Sequence, residues 1–150
     1  MIYEARRFVP DSYDKNDSFA KDLFIGFIQR KGHEIISKEE DYNHDLITSK
    51  NNTTYFFELE VKTNYPFTTR DSFKFGTVSF LGRKMRLHQM QTFYYVIICR
   101  ETSHALMCRS DNIYKPHYAE TLNINTTDRT GADQMFRVPK VYCRFFSLNE

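Results

Sequence analysis

Apolar residues recur near the start of the chain at helical intervals. Phe19, Ala20, Leu23, Phe24, Phe27 and Ile28 stand at i, i+4 and i+8 spacings, and at about 100° per residue these positions share one broad face. The spacing predicts an amphipathic helix over roughly 17–31. Asp17 or Ser18 suits its N-cap, since both residue types accept a hydrogen bond from a free N–H of the first turn. Gly32 after Arg30-Lys31 suits its end, with glycine at C′ and positive charge on the negative pole of the dipole. Residues 1–16 mix charge, Pro10 and aromatics without a period and read as an N-terminal arm.

The period then changes to two. Glu34–Ser37 is a short extended candidate, 38–44 a polar loop and Asp45–Ser49 a strand. Lys50-Asn51-Asn52-Thr53 has turn composition,. From Thr54 to Thr63, Tyr55, Phe57, Leu59 and Val61 alternate with Phe56, Glu58, Glu60 and Lys62. That alternation predicts a strand with one apolar face, paired with its predecessor as an antiparallel hairpin. A loop is expected over 64–76, extended chain over 77–80 and a basic, short helix over 82–91. Phe93–Cys99 is apolar on both faces and so belongs in the centre of a sheet,. Ala105–Cys108 follows as a strand, 111–120 as a short helix, and 136–138 and 142–146 as further strands around a polar loop. The order predicts an α/β fold, a small mixed sheet flanked by helices.

A chain of 150 residues suits one domain,, divided by pattern into an arm (1–16), a core (17–110) and a C-terminal extension (111–150). The hydrophobic fraction is 41% and the aromatic fraction 16%, enough to build a core and too apolar for a disordered chain,. No apolar run approaches the roughly 20 residues that span a bilayer, and no apolar signal segment follows the N-terminal charges, so no membrane association and an intracellular location are expected,. Net charge is only +2, so its distribution matters more than its sum,. Cys99, Cys108 and Cys143 form no metal-binding spacing and read as buried reduced thiols,.

One arrangement carries candidate chemistry. Glu58, Glu60 and Lys62 leave the same side of a strand whose other side is apolar,. Charges held there need solvent, a partner or a cation. Asp45 opens the preceding strand and can lie across the hairpin from them. Two carboxylates converging on one point make a hard-oxygen site for Mg²⁺ or Mn²⁺, and a neighbouring lysine can orient a water. Such a set suits phosphodiester hydrolysis. The plain alternative is a solvated strand face with ordinary Glu/Lys cross-strand partners.

Asp45 with Glu60-Val61-Lys62, behind an amphipathic helix and ahead of two strands, resembles the PD-(D/E)xK nuclease superfamily over roughly 17–110,. The resemblance implies a restriction endonuclease-like core and Mg²⁺- or Mn²⁺-dependent DNA cleavage. It makes Asp45, Glu60 and the Val61 carbonyl metal ligands and Lys62 the residue that positions the attacking water. It implies an additional acid, for which Asp22 and Glu58 are the candidates. Arg83, Lys84, Arg86, His88 and Gln89 become candidates for contacting DNA phosphates,. It also implies a homodimer with one site per strand, and a compact chain of this size resembles phage or mobile-element nucleases, acting in the host cytoplasm, more than a chromosomal repair enzyme with added domains. Two departures stand out: His44, not proline, precedes Asp45, and Asp41 and Glu58 compete for the acidic positions. Tyr65 and Phe67, just after the motif, are candidates for stacking on a base or closing as a lid,. The alternatives are a nucleic-acid-binding or protein-interaction module on the same scaffold, and an RNA-directed nuclease.

Overall fold

The computed structural model describes residues 10–38, 44–62, 65–125 and 130–150. Helix α1 (Pro10–Arg30) is followed by β1 (Glu34–Ser37), β2 (Leu46–Lys50), β3 (Thr53–Lys62) and β4 (Thr77–Leu81). A 3-10 turn (Gly82–Lys84) leads into α2 (Met85–Met90), then β5 (Tyr94–Cys99), β6 (His104–Arg109) and α3 (Ser110–Ile113). Strands β7 (Ala119–Asn125), β8 (Thr130–Pro139) and β9 (Arg144–Ser147) complete the chain. Of the expected arm, 1–9 lies outside the described residues, as do 39–43 of the polar loop with Asp41, and 126–129 of the late polar loop.

The helix begins earlier than its apolar period. It starts at Pro10, where a fixed φ and a missing N–H cost nothing. Asp17 and Ser18 are therefore interior positions, not the N-cap. Its end is as expected. Gly32 has φ +96°, and the His33 N–H to Ile28 and Gly32 N–H to Gln29 bonds (3.2 and 3.0 Å) close a Schellman motif,.

Six strands form a mixed sheet in the order β1-β2-β3-β5-β6-β9. β1, β2 and β3 are an antiparallel meander. Asn51 (φ 53°) and Asn52 (φ 64°) turn the β2–β3 hairpin between the paired Lys50 and Thr53, the two positive φ values of a type I′ turn. β5 then joins β3 in parallel, with Glu58 beside Tyr95 and Glu60 beside Ile97. β5 lies inside the sheet, between β3 and β6, as its two apolar faces require,.

The two faces of this sheet are covered differently. On one, Phe57, Leu59, Val96, Ile98 and Phe146 pack beneath Ala20, Phe24, Phe27 and Ile28 of α1. On the other, Tyr95, Ile97, Leu106 and Cys108 meet Val78 and Phe80 of β4, Phe136 and Val138 of β8, and Leu87 of α2. β4, β8 and β7 form a three-stranded antiparallel sheet, so the second cover is largely a sheet where helices were expected. The helix expected over 111–120 stops at Ile113. Pro116 forces Lys115 into an extended conformation (φ −104°, ψ 135°),, and the chain enters β7 three residues on. The residues after 110 are built into both sheets, β9 pairing with β6 and β8 with β4.

All three cysteines are free and buried. Among the described residues no helix is long and apolar enough to cross a membrane. Gly82, buried where β4 turns toward α2, has no room for a side chain: a Cβ would stand 2.5 Å from the Gln134 carbonyl oxygen. Gly82→Ala is expected to destabilise the protein by about 1–3 kcal/mol in urea unfolding, because backbone, not a movable side chain, must yield.

Candidate active site

The hairpin register sets the site. Leu46 pairs with Phe57, so Asp45, one residue earlier, falls just past the last ladder pair, level with Glu58. There its side chain takes over from the missing strand: Oδ2 accepts the Leu59 N–H at 2.8 Å. The Asp45 N–H in turn donates to Glu58 Oε2 at 3.1 Å. The N–H and C=O of one strand residue leave on the same side, and sides alternate. The carbonyl of Val61, two residues beyond Leu59, therefore leaves on the Asp45 side of β3, past the start of β2.

Glu58 and Glu60 share a face but not an environment. The Glu58 side chain is 5% exposed and bonds Lys84 Nζ at 2.6 Å and His44 Nδ1 at 3.1 Å. Gln91 Nε2 lies 2.7 Å from His44 Nε2, so the amide donates there and Nδ1–H donates to Glu58. Burial pushes the Glu58 carboxyl upward, and the His44 and Lys84 bonds overcome it, leaving its pKa below the ordinary value. Glu58 is thus the anionic hub of an internal network. Glu60 is more open: its side chain is 22% exposed and that of Lys62 is 41% exposed, with Lys62 Nζ 3.5 Å from Glu60 Oε2. The Tyr95 hydroxyl donates to Glu60 Oε1 at 2.5 Å. Burial, then the charge of Glu60, raises the Tyr95 pKa, which keeps this hydroxyl a donor and turns Glu60 in a single direction.

Asp45 is held at a cost. Burial, then the neighbouring charge of Glu58, raises its pKa above 3.8, against the Leu59 N–H and the charges of Lys84 and Lys21. An acid with a raised folded pKa weakens the fold when ionised, and stability recovers as pH falls through that pKa toward the unfolded value. Asp45→Asn keeps an oxygen for Leu59 and removes the charge. It is expected to raise the Tm at pH 7 by about 2–4 °C, what roughly 1 kcal/mol gives a chain of this size. The gain should vanish below pH ~3.8, where Asp45 is protonated in both states. An unchanged or lower Tm at pH 7 would contradict this account.

The remaining candidates are dispersed. Asp22 is exposed on α1, about 200° around the helix from both Ala20 and Phe24, which pack on the sheet. Lys84 faces inward to Glu58 and is committed to the network. His88 is tied to the buried Ser110 hydroxyl at 2.7 Å and leans on the Tyr114 ring, a structural position. Arg83, Arg86 and Gln89 are exposed on the same segment. Among the described residues no group of three or more His, Cys, Asp or Glu side chains is placed to hold a metal ion. The roles of His44, Lys84 and Gln91 around Glu58 had no sequence signal beyond the need of a buried acid for partners. Tyr95 stood in an apolar run that disguised its hydroxyl.

The chain matches no protein-family model, no curated protein and no solved structure.

Proposed function

We propose that the protein is a metal-dependent nuclease of the PD-(D/E)xK type, hydrolysing phosphodiester bonds in DNA. The observation that carries this reading is topological. A helix, a three-strand antiparallel meander and, after β4 and α2, a strand returning parallel to the third resembles the order expected of a restriction endonuclease-like core. That order sets Asp45 at the start of β2, with Glu60 and Lys62 together on β3.

The donor set fits magnesium. Mg²⁺ retains several waters and is usually held by one or two carboxylates together with substrate phosphate, and all three protein donors here are hard oxygens. Asp45, Glu60 and the Val61 carbonyl would hold the ion. The raised pKa of Asp45 is the electrostatic deficit that a cation would relieve. When bound, Mg²⁺ or Mn²⁺ supplies Lewis-acid polarisation of the phosphate and charge neutralisation at the reacting oxygens. Lys62, held by Glu60, positions the attacking water through its ammonium donors. Tyr95 fixes Glu60. Glu58 and Lys84 neutralise each other beneath the site, leaving Glu60 and Lys62 as its open charges. Arg83 and Arg86, exposed on the segment that delivers Lys84, would contact backbone phosphates.

The test is supercoiled plasmid with purified protein, with and without Mg²⁺ or Mn²⁺. Nicking or linearisation that appears with metal and stops with EDTA is the expected result. Absence of cleavage on plasmid, branched DNA and RNA would leave a binding module, with Asp45, Glu60 and Lys62 as a solvated strand end.

A further inference from the structure

Lys62 borders a second feature on the same side of β3. An open cleft of about 450 Å³ lies between β3, β5 and the edge of the smaller sheet, lined by Lys62, Tyr65, Phe67, Phe73, Phe75 and Arg137 among others. Its size is that of a small-ligand pocket. Its aromatic wall is graded. Phe67 is buried in the core at 3% exposure, while Phe75 and Tyr65, at 42% and 54%, stand open. The rings form a continuous series, Phe67 to Phe73 at 5.5 Å, Phe73 to Phe75 at 6.2 Å and Phe75 to Tyr65 at 4.9 Å. The core thus braces two exposed rings from behind.

Two further observations point to a ligand. Tyr65 has φ 55°, a left-handed conformation that a bulky residue adopts only at a cost and that concentrates at functional sites. Lys74 Nζ lies 4.9 Å from the Tyr65 ring centroid and 5.7 Å from that of Phe75. The rim therefore carries Lys62, Lys74 and Arg137, the last paired with Glu120 at 2.8 Å. Exposed aromatic rings with an ammonium group already against them suit a flat, π-faced group attached to an anion.

We infer that this cleft takes an unpaired base of the DNA strand being cut, its face on one of the two exposed rings, Tyr65 or Phe75, and its edge against the other, which stands at 87° to it, with its phosphate beside Lys62. The inference rests on the nuclease reading and adds to it a substrate class: DNA with a single-stranded segment at the cleavage point. A base inside a blunt duplex has both faces covered by its neighbours and cannot stack there.

The test is binding of a short single-stranded DNA carrying 2-aminopurine, in EDTA so that nothing is cut, beside the blunt duplex of the same sequence. The expected result is quenched fluorescence and tighter binding of the single strand. Tyr65→Asn and Phe75→Ala should each weaken it by about tenfold, and Tyr65→Phe should not. Asparagine tolerates positive φ, so Tyr65→Asn removes the ring without loading the backbone, and a circular-dichroism melt verifies its fold. Equal affinity for duplex, or no effect of either ring variant, overturns the proposal; so does preference for the RNA of the same sequence. Plasmid cleavage without base quenching sinks the cleft and leaves the nuclease standing. Quenching with no cleavage of plasmid, branched or single-stranded DNA supports the cleft as a single-strand site and overturns the nuclease instead.

Discussion

Glu60→Gln is expected to lower metal-dependent cleavage by about 10³-fold or more, the several kcal/mol that a correctly held ion contributes to the transition state. The variant is chosen for what it leaves alone. Glutamine still accepts from Tyr95, whose hydroxyl is bonded to Glu60 at 2.5 Å, and still fits beside Lys62. Only the charge is lost. The fold should therefore survive, with a Tm close to wild type, and the loss should appear in turnover and in Mg²⁺ dependence. Lys62→Ala should cost about 10²–10³-fold, the range for losing one hydrogen-bond donor at a reacting centre, without weakening Mg²⁺-dependent stabilisation. That difference separates a ligand from a positioning residue: Mg²⁺ should raise the Tm of wild type and Lys62→Ala, and fail to raise that of Glu60→Gln. Wild-type cleavage by Glu60→Gln would remove Glu60 from the site.

The second large effect is on stability. Glu58→Ala is expected to cost about 3–5 kcal/mol in urea unfolding, the range for breaking one side of a buried ion pair. Glu58 receives Lys84, His44 and the Asp45 N–H, and the substitution strands all three. The pH dependence has a definite sign. The folded pKa of Glu58 lies below its ordinary 4.5, so its stabilisation is complete above the unfolded value. It is lost as pH falls through the folded one. The gap between wild type and Glu58→Ala should therefore be full at pH 7 and narrow under acid. Glu58→Leu combined with Lys84→Met, which removes both charges and keeps the volume, should recover a large part of the loss. A second check follows from the like charges: with Glu58 gone, the stabilisation by Asp45→Asn should shrink. A loss below about 1 kcal/mol would place Glu58 among surface acids and contradict the network.

Much of the fold follows from local pattern. The apolar stripe of α1, the glycine that ends it, the Asn-Asn turn and the alternation of β3 each act over a few residues, so their physics is complete within the segment. The burial of β5 follows the same way, since a run apolar on both faces has nowhere else to go. The start of α1 was less legible, because Pro10 precedes the apolar period and charged residues mask a helical backbone. Strand β7 was missed altogether. Its place depends on pairing with β8, a partner the segment itself does not announce.

The candidate site divides along the same line. The sequence alone determined that Glu58, Glu60 and Lys62 leave one face of a strand and that Asp45 begins its neighbour, because side-chain direction in a strand alternates with fixed period. Packing from distant segments separates the two glutamates. Both have the same local pattern, but the 3-10 turn before α2 delivers Lys84 to Glu58 and β5 delivers Tyr95 to Glu60. The first acid is thereby spent inside the fold and the second left partly exposed beside Lys62. Burial and partnership are properties of what packs against a residue, and here those neighbours arrive from segments tens of residues away.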